Sequence, residues 1–346
     1  VLAQTLVARG DIPAAAHSAT DGYALQAADT LGAGDYSPLP VRIGAVAAGR
    51  GCAVAVSDGD PLPPGADAVL SLDGGDLSAG VLEIATSLAP GDGVSQAGED
   101  CHAGELLCAA GRRLRAQDLA RLALAGLSEV PVRQKPRVCI ALAGHFERDA
   151  DGPMLTALVE RDGGTADSAR VTPDAETLVD VLRQPDVDLV LVAGGTGYAA
   201  RDFAVRALQS CGTVDLDGVA IHPGGAVVLG RVAATPVVLL PGTPLACLCA
   251  YDLLVARLLR KLAGYPRALP YRRRSLTLGR KVVSSIGRLE LARMKISDDA
   301  AEPIATAEGR ILASAVLADG FLLVPEHCEG YARGSTVDIY LYDDTE

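Results

Sequence analysis

The segment Pro236 to Pro244 constrains this chain more than any other. Val237, Val238, Leu239 and Leu240 form a short apolar run, the pattern of a buried strand. Gly242 permits a tight turn after it. Thr243 suits a helix N-cap and Pro244 the first helical position. An apolar helical pattern then runs from Leu245 to about Leu262, and Gly264 ends it. Strand, turn and helix start are thus specified within nine residues. The free N–H groups of such a helix start suit an anion.

A second segment repeats the design. Val187 to Ala193 reads as another buried strand, runs into Gly194-Gly195-Thr196-Gly197, and is followed by a helix-like stretch from Asp202 to Gly212. Glycine turns at the ends of apolar strands are how an open α/β sheet holds a ligand beyond its strand ends. Neither turn carries the dinucleotide pattern G-x-G-x-x-G or the Gly-Lys-Ser/Thr ending of a P-loop. NAD and classical ATPase chemistry are therefore not indicated.

At roughly 100–200 residues per domain, 346 residues predict two to four domains. Aromatics are 3% and Trp is absent, so the cores rest on Val, Leu, Ile and Ala. A net charge of −12 argues against a nucleic-acid partner, which needs a basic face. The cluster Arg272-Arg273-Arg274 reads as solvated surface. Eight cysteines without C-x-x-C, several inside apolar patterns, read as reduced and structural, which points to a cytoplasmic protein. The five histidines lack zinc spacing. No apolar run approaches membrane-spanning length, and no signal-peptide pattern opens the chain.

Along the chain, Val1 to Arg9 has helical spacing, and residues 1–40 with 99–132 form a discontinuous mixed α/β unit. Alternating short strands from 41 to 98 predict a small β domain. Strand–helix alternation from 133 to 264 predicts a three-layer α/β domain, and 265–346 returns to β. The expected fold class is therefore multidomain α/β plus β.

In that order the chain resembles the MoeA family of molybdopterin molybdenumtransferases, which includes the E domain of gephyrin. Asp11-Ile12-Pro13 followed by Ser18-Ala19-Thr20-Asp21-Gly22-Tyr23-Ala24 is similar to the family's D-V-P…S-A-M-D-G-Y-A. Leu62 to Val69 resembles L-P-E-G-A-D-A-V, and Gly98-Glu99-Asp100 resembles G-E-D-I. Gly194-Gly195 stands for G-G-V-S-x-G, Leu240 to Pro244 for L-P-G-N-P, and Gly287 to Glu290 with Arg293 for G-R-x-E-F-x-R. The resemblance implies a MogA-like molybdopterin-binding domain flanked by small mixed and β domains, in an elongated homodimer. It implies an adenylylated molybdopterin that accepts molybdate, with Mg²⁺ assisting loss of AMP. It also implies a MogA-like or intact MoeA-like partner, and a further helical stretch before Val1.

Mapped onto this sequence, the resemblance makes Asp21, Asp100 and Asp202 the candidate acidic catalytic groups. Gly194, Gly195, Thr196, Gly197, His222, Gly224, Gly225, Pro241, Gly242 and Thr243 become the pterin and phosphate pocket. Asp202 also stands where a helix N-cap belongs. Arg288 and Arg293 are assigned to the surface of the C-terminal β domain.

The chain departs from the family at the chemistry. The S-T-G-D-E-L turn is Leu142-Ala143-Gly144-His145-Phe146-Glu147, and the acidic position before Asp202 is Ala200. K-P-G-K-P becomes His222-Pro223-Gly224-Gly225-Ala226. Asp58 replaces the Thr of a T-G-A turn, and Ser95 replaces the Arg before G-E-D. Lost cations weaken a phosphate site and lost acids weaken a Mg²⁺ site. Glu147, Asp149, Asp151 and Asp202 are the acids available near the lost positions. The expected function is molybdenum insertion at reduced or altered competence; the alternative is a non-catalytic pterin carrier, scaffold or partner of an intact paralogue.

Overall fold

The structure, a computed structural model, describes residues 1–144, 148–167, 170–184, 186–197, 203–304 and 312–345. They divide into two compact units, Val1–Val132 and Arg133–Glu346, each described by itself.

The first unit holds a six-stranded sheet. Its order is Ala68–Ser71, Gly22–Leu25, Cys52–Val56, Leu39–Gly44, Val81–Ile84 and Gly75–Ser78. Leu25, Val41, Leu70, Leu82 and Ile84 fill one face. Gly22–Leu25, grouped with residues 1–40 in the sequence reading, is an inner strand of this sheet, paired on both sides. The helical spacing of Val1 to Arg9 is not realised. Leu6–Val7 instead forms a short strand against Leu106–Cys108, and Leu2 bridges Val132. A nine-residue helix is marginal alone, and here Leu2, Ala3 and Ala8 instead donate their N–H groups to Arg112 O, Pro131 O and Glu105 O. Leu2, Leu107 and Leu122 then form a small core with the helix Ala116–Leu124.

The second unit is built on a seven-stranded sheet. Thr165–Ala166, Arg137–Ala143, Leu189–Ala193 and Thr235–Leu240 run parallel, and Val228–Val232 and Thr213–Asp217 continue it antiparallel. Arg170–Thr172 pairs with the upper part of Arg137–Ala143. Alternate residues of Arg137–Ala143 serve two cores. Val138, Ile140 and Leu142 pack on the side of helix Asp151–Arg161 and the helix that starts at Pro244. Cys139, Ala141 and Ala143 pack on the side of Ala175–Leu182 and Ala204–Cys211. The period of two thus sorts one strand into both faces, and the apolar runs are continuous because both faces are covered.

A second sheet runs in the order Ile221–His222, Leu289–Ser297, Ala300–Pro303, Tyr271–Leu278, Thr336–Thr345 and Gly320–Val324. Leu289–Ser297 also pairs with Gly320–Val324, which closes the sheet on itself in a barrel-like ring. Ile221–His222 comes from the α/β part of the sequence yet pairs with Leu289–Glu290.

The helix that starts at Pro244 continues as Pro244–Ala250, a π-helical turn Tyr251–Val255, and Ala256–Ala263. Gly264, at φ 80°, ends it as the sequence predicts. Asp252, 1% exposed, accepts hydrogen bonds from Tyr271 Oη at 2.9 Å and Arg161 at 3.0 Å. Arg161 also meets Asp162 at 2.7 Å, and Arg260 lies 3.5 Å from Asp162. This buried set ties helix Asp151–Arg161, the long helix and strand Tyr271–Leu278 together. Removing one partner strands a buried charge, which is costlier than removing the whole set. Arg161→Met is expected to lower stability by about 3 kcal/mol in urea unfolding, and Arg161→Met with Asp252→Leu to recover most of that loss.

Candidate functional site

The parallel strands end at one edge of the main sheet. Their register, Leu142 opposite Ala193 and Ala193 opposite Leu240, brings the turns that follow them to the same place. Val228 opposite Leu239 brings the approach to the antiparallel strand there too. Two glycine turns therefore meet, Gly194 to Gly197 and Pro241 to Thr243, while Gly224-Gly225 packs against the body of the helix after Thr243.

Their closeness explains the glycines. Gly194 donates its N–H to Leu240 O at 3.0 Å. A Cβ on Gly242 would lie 3.1 Å from Gly194 Cα, so the two turns approach backbone to backbone. Gly194 and Gly195 sit at φ 91° and 69°, the left-handed region that favours glycine. Gly224 sits at φ 109°, and a Cβ there would meet Ala246 O, on the helix after Thr243, at 2.8 Å. A Cβ on Gly225 would meet Val219 O at 2.8 Å. Exposure rises from buried Gly194 and Pro241 to exposed Gly197, Gly242 and Thr243.

Thr243 has the N-cap backbone conformation, φ −98° and ψ 126°, with Pro244 following as predicted. Its hydroxyl makes no cap hydrogen bond. The first N–H groups of the helix thus lack a side-chain cap at an exposed turn, the condition that favours an anion there.

His222 lies on strand Ile221–His222, two residues before Gly224. The strand register sets it directly opposite Glu290, and Nδ1 lies 2.9 Å from Glu290 Oε1. Arg288 Nε is 3.6 Å from Glu290 Oε2. Arg293, assigned to the surface from sequence, is 6% exposed and donates to Leu291 O. Strand Leu289–Ser297 turns it inward, toward the core that Leu291 and Phe321 share.

Asp151 opens the helix after strand Arg137–Ala143. It is 4% exposed, and its Oδ1 has no hydrogen-bond partner. Burial, with Asp149 adding to it, pushes the carboxyl up to about 6.

Asp21 and Asp100 belong to the first unit. Asp21 Oδ1 accepts the N–H of Asp58 at 2.9 Å, a local backbone clasp, and Asp100 Oδ2 lies 3.5 Å from Arg121 Nε. Glu99 accepts from Ser95 Oγ at 2.6 Å and from the N–H of Gln96, which together hold it below the usual carboxylate range. Asp202 lies outside the described residues, as do His145, Phe146, Glu147 and Ala200. The helix after Asp202 begins at Ala204 with Phe203, not Asp202, at its N-cap. Among the described residues, no three His, Cys, Asp or Glu side chains gather to hold a metal.

An open, mostly parallel sheet with helices on both faces and glycine turns at its strand ends defines a doubly wound α/β ligand-binding domain. Here a closed β-sheet follows it in the same unit. Family profiles divide the chain in the same order: the MoeA N-terminal region (domain I and II) matches residues 1–126, a probable molybdopterin binding domain residues 141–261, and the MoeA C-terminal region (domain IV) residues 275–342. The chain belongs to the MoeA family. Molybdopterin molybdenumtransferase 2 of Mycobacterium tuberculosis is 29% identical over 98% of this chain and 93% of its own length. The molybdopterin molybdenumtransferase of Staphylococcus epidermidis is 26% identical over 99% and 88%. The crystal structure of the molybdopterin biosynthesis MoeA protein of Pyrococcus horikoshii superposes with a TM-score of 0.80 at 29% identity, covering 99% of this chain and 91% of that one.

The Asp151 carboxyl carries a pH prediction. An unfolded aspartate titrates near 3.8. As pH rises from there through 6, the unfolded chain gives up a proton that the folded chain retains, so folding loses stability. Asp151→Asn is therefore expected to stabilise the fold at pH 7.5 by about 1–3 kcal/mol. Urea midpoints of the variant and the unmodified chain should converge as pH falls to 4.

Proposed function

We propose that this chain is a molybdenum cofactor biosynthesis protein that binds molybdopterin at the glycine edge of its α/β domain and there receives molybdenum into it. The observation that carries this reading is the backbone-to-backbone meeting of the turns Gly194 to Gly197 and Pro241 to Thr243 at one sheet edge, inside the segment matched by the molybdopterin-binding profile. The uncapped helix start after Thr243 supplies backbone donors for the ligand's phosphate. Gly194, Gly195, Thr196, Gly197, Gly224, Gly225, Pro241 and Gly242 let that ligand approach the backbone. His222 supplies the side-chain donor in place of a lysine. Asp21, Asp100 and Asp202 are assigned to the acidic side of the reaction, on family resemblance.

The resemblance adds an adenylylated pterin as the incoming form, molybdate as the second substrate, and a cytoplasmic homodimer served by a MogA-like partner. The described residues do not gather a ligand set that fits a resident Mg²⁺. What these residues do is bind and orient. The helix start and the turns hold the phosphate, and His222 offsets the negative charge of the bound ligand and of an approaching oxyanion. With fewer fixed cations than two lysines and an arginine provide, that offset is smaller, and the insertion step is slower than binding alone would suggest.

Anaerobic titration with molybdopterin and its adenylylated form, followed by addition of molybdate and Mg²⁺ and assay of AMP, tests this. Binding is expected, with AMP release slower than that of the Mycobacterium tuberculosis relative assayed alongside. His222→Lys is expected to speed release roughly tenfold. Binding with no release would leave a pterin carrier, the second reading that the replaced lysines favour. No binding of either form would overturn both readings.

A further inference from the structure

A cleft of about 490 Å³ opens in the second unit where helix Asp151–Arg161, the long helix and the closed β-sheet come together. Small-molecule sites are of this size, roughly 300–1,000 Å³. The cleft is not the glycine edge. Helix Asp151–Arg161 follows the end of strand Arg137–Ala143 and returns along the sheet, so that Thr165 just beyond it pairs with Arg137 at the start of that strand. Arg161, which lines the cleft, therefore stands one helix length from the edge, about 15 Å at 1.5 Å per residue.

Its walls are apolar and aromatic. Seven of its twelve lining residues are aliphatic and two are tyrosines. The chain holds only nine Tyr and three Phe, yet Tyr271, Phe321, Tyr340 and Tyr342 gather in one cluster, and Tyr271 meets Tyr342 edge to face at 5.7 Å on the cleft wall. Val316 and Leu317, which also line it, are exposed. The charged groups are few. Lys295 and Asp319 answer each other at 2.7 Å. Arg161 has five N–H hydrogens to place. Nη2 donates to Asp162 and Asp252, Nη1 gives one hydrogen to Tyr271 Oη, and Nε is buried without a partner. The second hydrogen of Nη1 has no partner among the described residues, and the side chain is 18% exposed. Behind it, Arg161 and Arg260 balance Asp162 and Asp252, and burial pushes the Asp252 carboxyl toward its neutral form, which tips the balance to the cations.

We propose that this cleft is a second ligand site, separate from the glycine edge, for a small apolar carboxylate. An aryl or alkyl body sits against Tyr271, Tyr342 and the aliphatic wall, and its carboxylate accepts from Arg161 Nη1. The apolar wall gains from covering, because burial of apolar surface drives association. A cation is disfavoured by Arg161 and Lys295. One free donor hydrogen suits a monoanion, whereas a phosphate dianion needs several donors and would face Asp162 and Asp252 across a single guanidinium. The guanidinium is already held flat by its fixed partners, with the Tyr271 ring 5.1 Å from it, so little side-chain freedom is lost when the ligand arrives.

The probes are 3-phenylpropanoate and octanoate, with 3-phenylpropanamide as the uncharged control, titrated by calorimetry and by saturation-transfer NMR. Three proteins are compared: the unmodified chain, Ala315→Trp, and Arg161→Met combined with Asp252→Leu. Ala315 lines the cleft from the short helix Ala313–Val316, so the indole fills the space without touching the buried ion pairs. The double variant removes the guanidinium together with a buried carboxylate that it pairs with, and urea midpoints report whether each variant is folded. Both acids are expected to bind the unmodified chain, with the amide roughly tenfold weaker, the worth of one charge-assisted hydrogen bond. The double variant should bring 3-phenylpropanoate down to the affinity of the amide and leave the amide unchanged. Ala315→Trp should abolish binding of all three. Equal binding of acid and amide to the unmodified chain would overturn the carboxylate assignment, and undiminished binding to Ala315→Trp would overturn the cleft as the site. Failure of both acids to bind at millimolar concentration would overturn the proposal outright.

Discussion

The second unit depends on burying its central parallel strands on both faces at once. Residues 138–142, 189–193 and 237–240 are no more than 2% exposed. Such strands have no polar face, so helices must cover each side, and only the strand ends reach solvent. The register then decides what those ends do. With Ala193 level with Leu240, the turns after both strands rise together, and that edge brings backbone donors to an accessible surface. Site and core are consequences of one arrangement.

Much of this was legible because it was local. The run from Val237 to Pro244 states a strand, a turn and a helix start in consecutive residues, and Gly264 closes that helix where expected. The strands near 138–142, 187–193 and 321–324 could be read from apolar runs for the same reason. The parts that were not legible depend on partners far along the chain. Leu6–Val7 is a strand because Leu106–Cys108 lies beside it, and nothing in nine residues of helical spacing says so. Gly22–Leu25 pairs with Cys52–Val56 and Ala68–Ser71, both far along the chain. Arg293 looks like surface in a linear reading, yet its strand turns it inward.

The candidate site divides the same way. Its glycines announced themselves, because a glycine turn after a buried strand has few other uses. The contact of His222 with Glu290 did not, since the two residues are 68 positions apart and belong to what read as different domains. Asp252 was equally invisible. A carboxylate inside an amphipathic helix ordinarily faces water, and only the π-helical turn and the approach of Arg161 and Tyr271 explain its burial. A pairing of strands from different sequence regions is the signal that would find such residues, and one sequence does not display it.

The contact between Gly224 and the carbonyl of Ala246 has a consequence for how such a protein changes over generations. A side chain at Gly224 would collide with the helix whether or not a ligand is ever turned over. At Gly242 a side chain would press, less severely, on the backbone of Gly194 at 3.1 Å. Gly224 is locked by the architecture itself, while His222, Ser95 and Asp58 already carry side chains. A lineage can therefore exchange its charges one at a time and keep an intact cradle throughout. The glycines record descent, and the charged residues around them record employment.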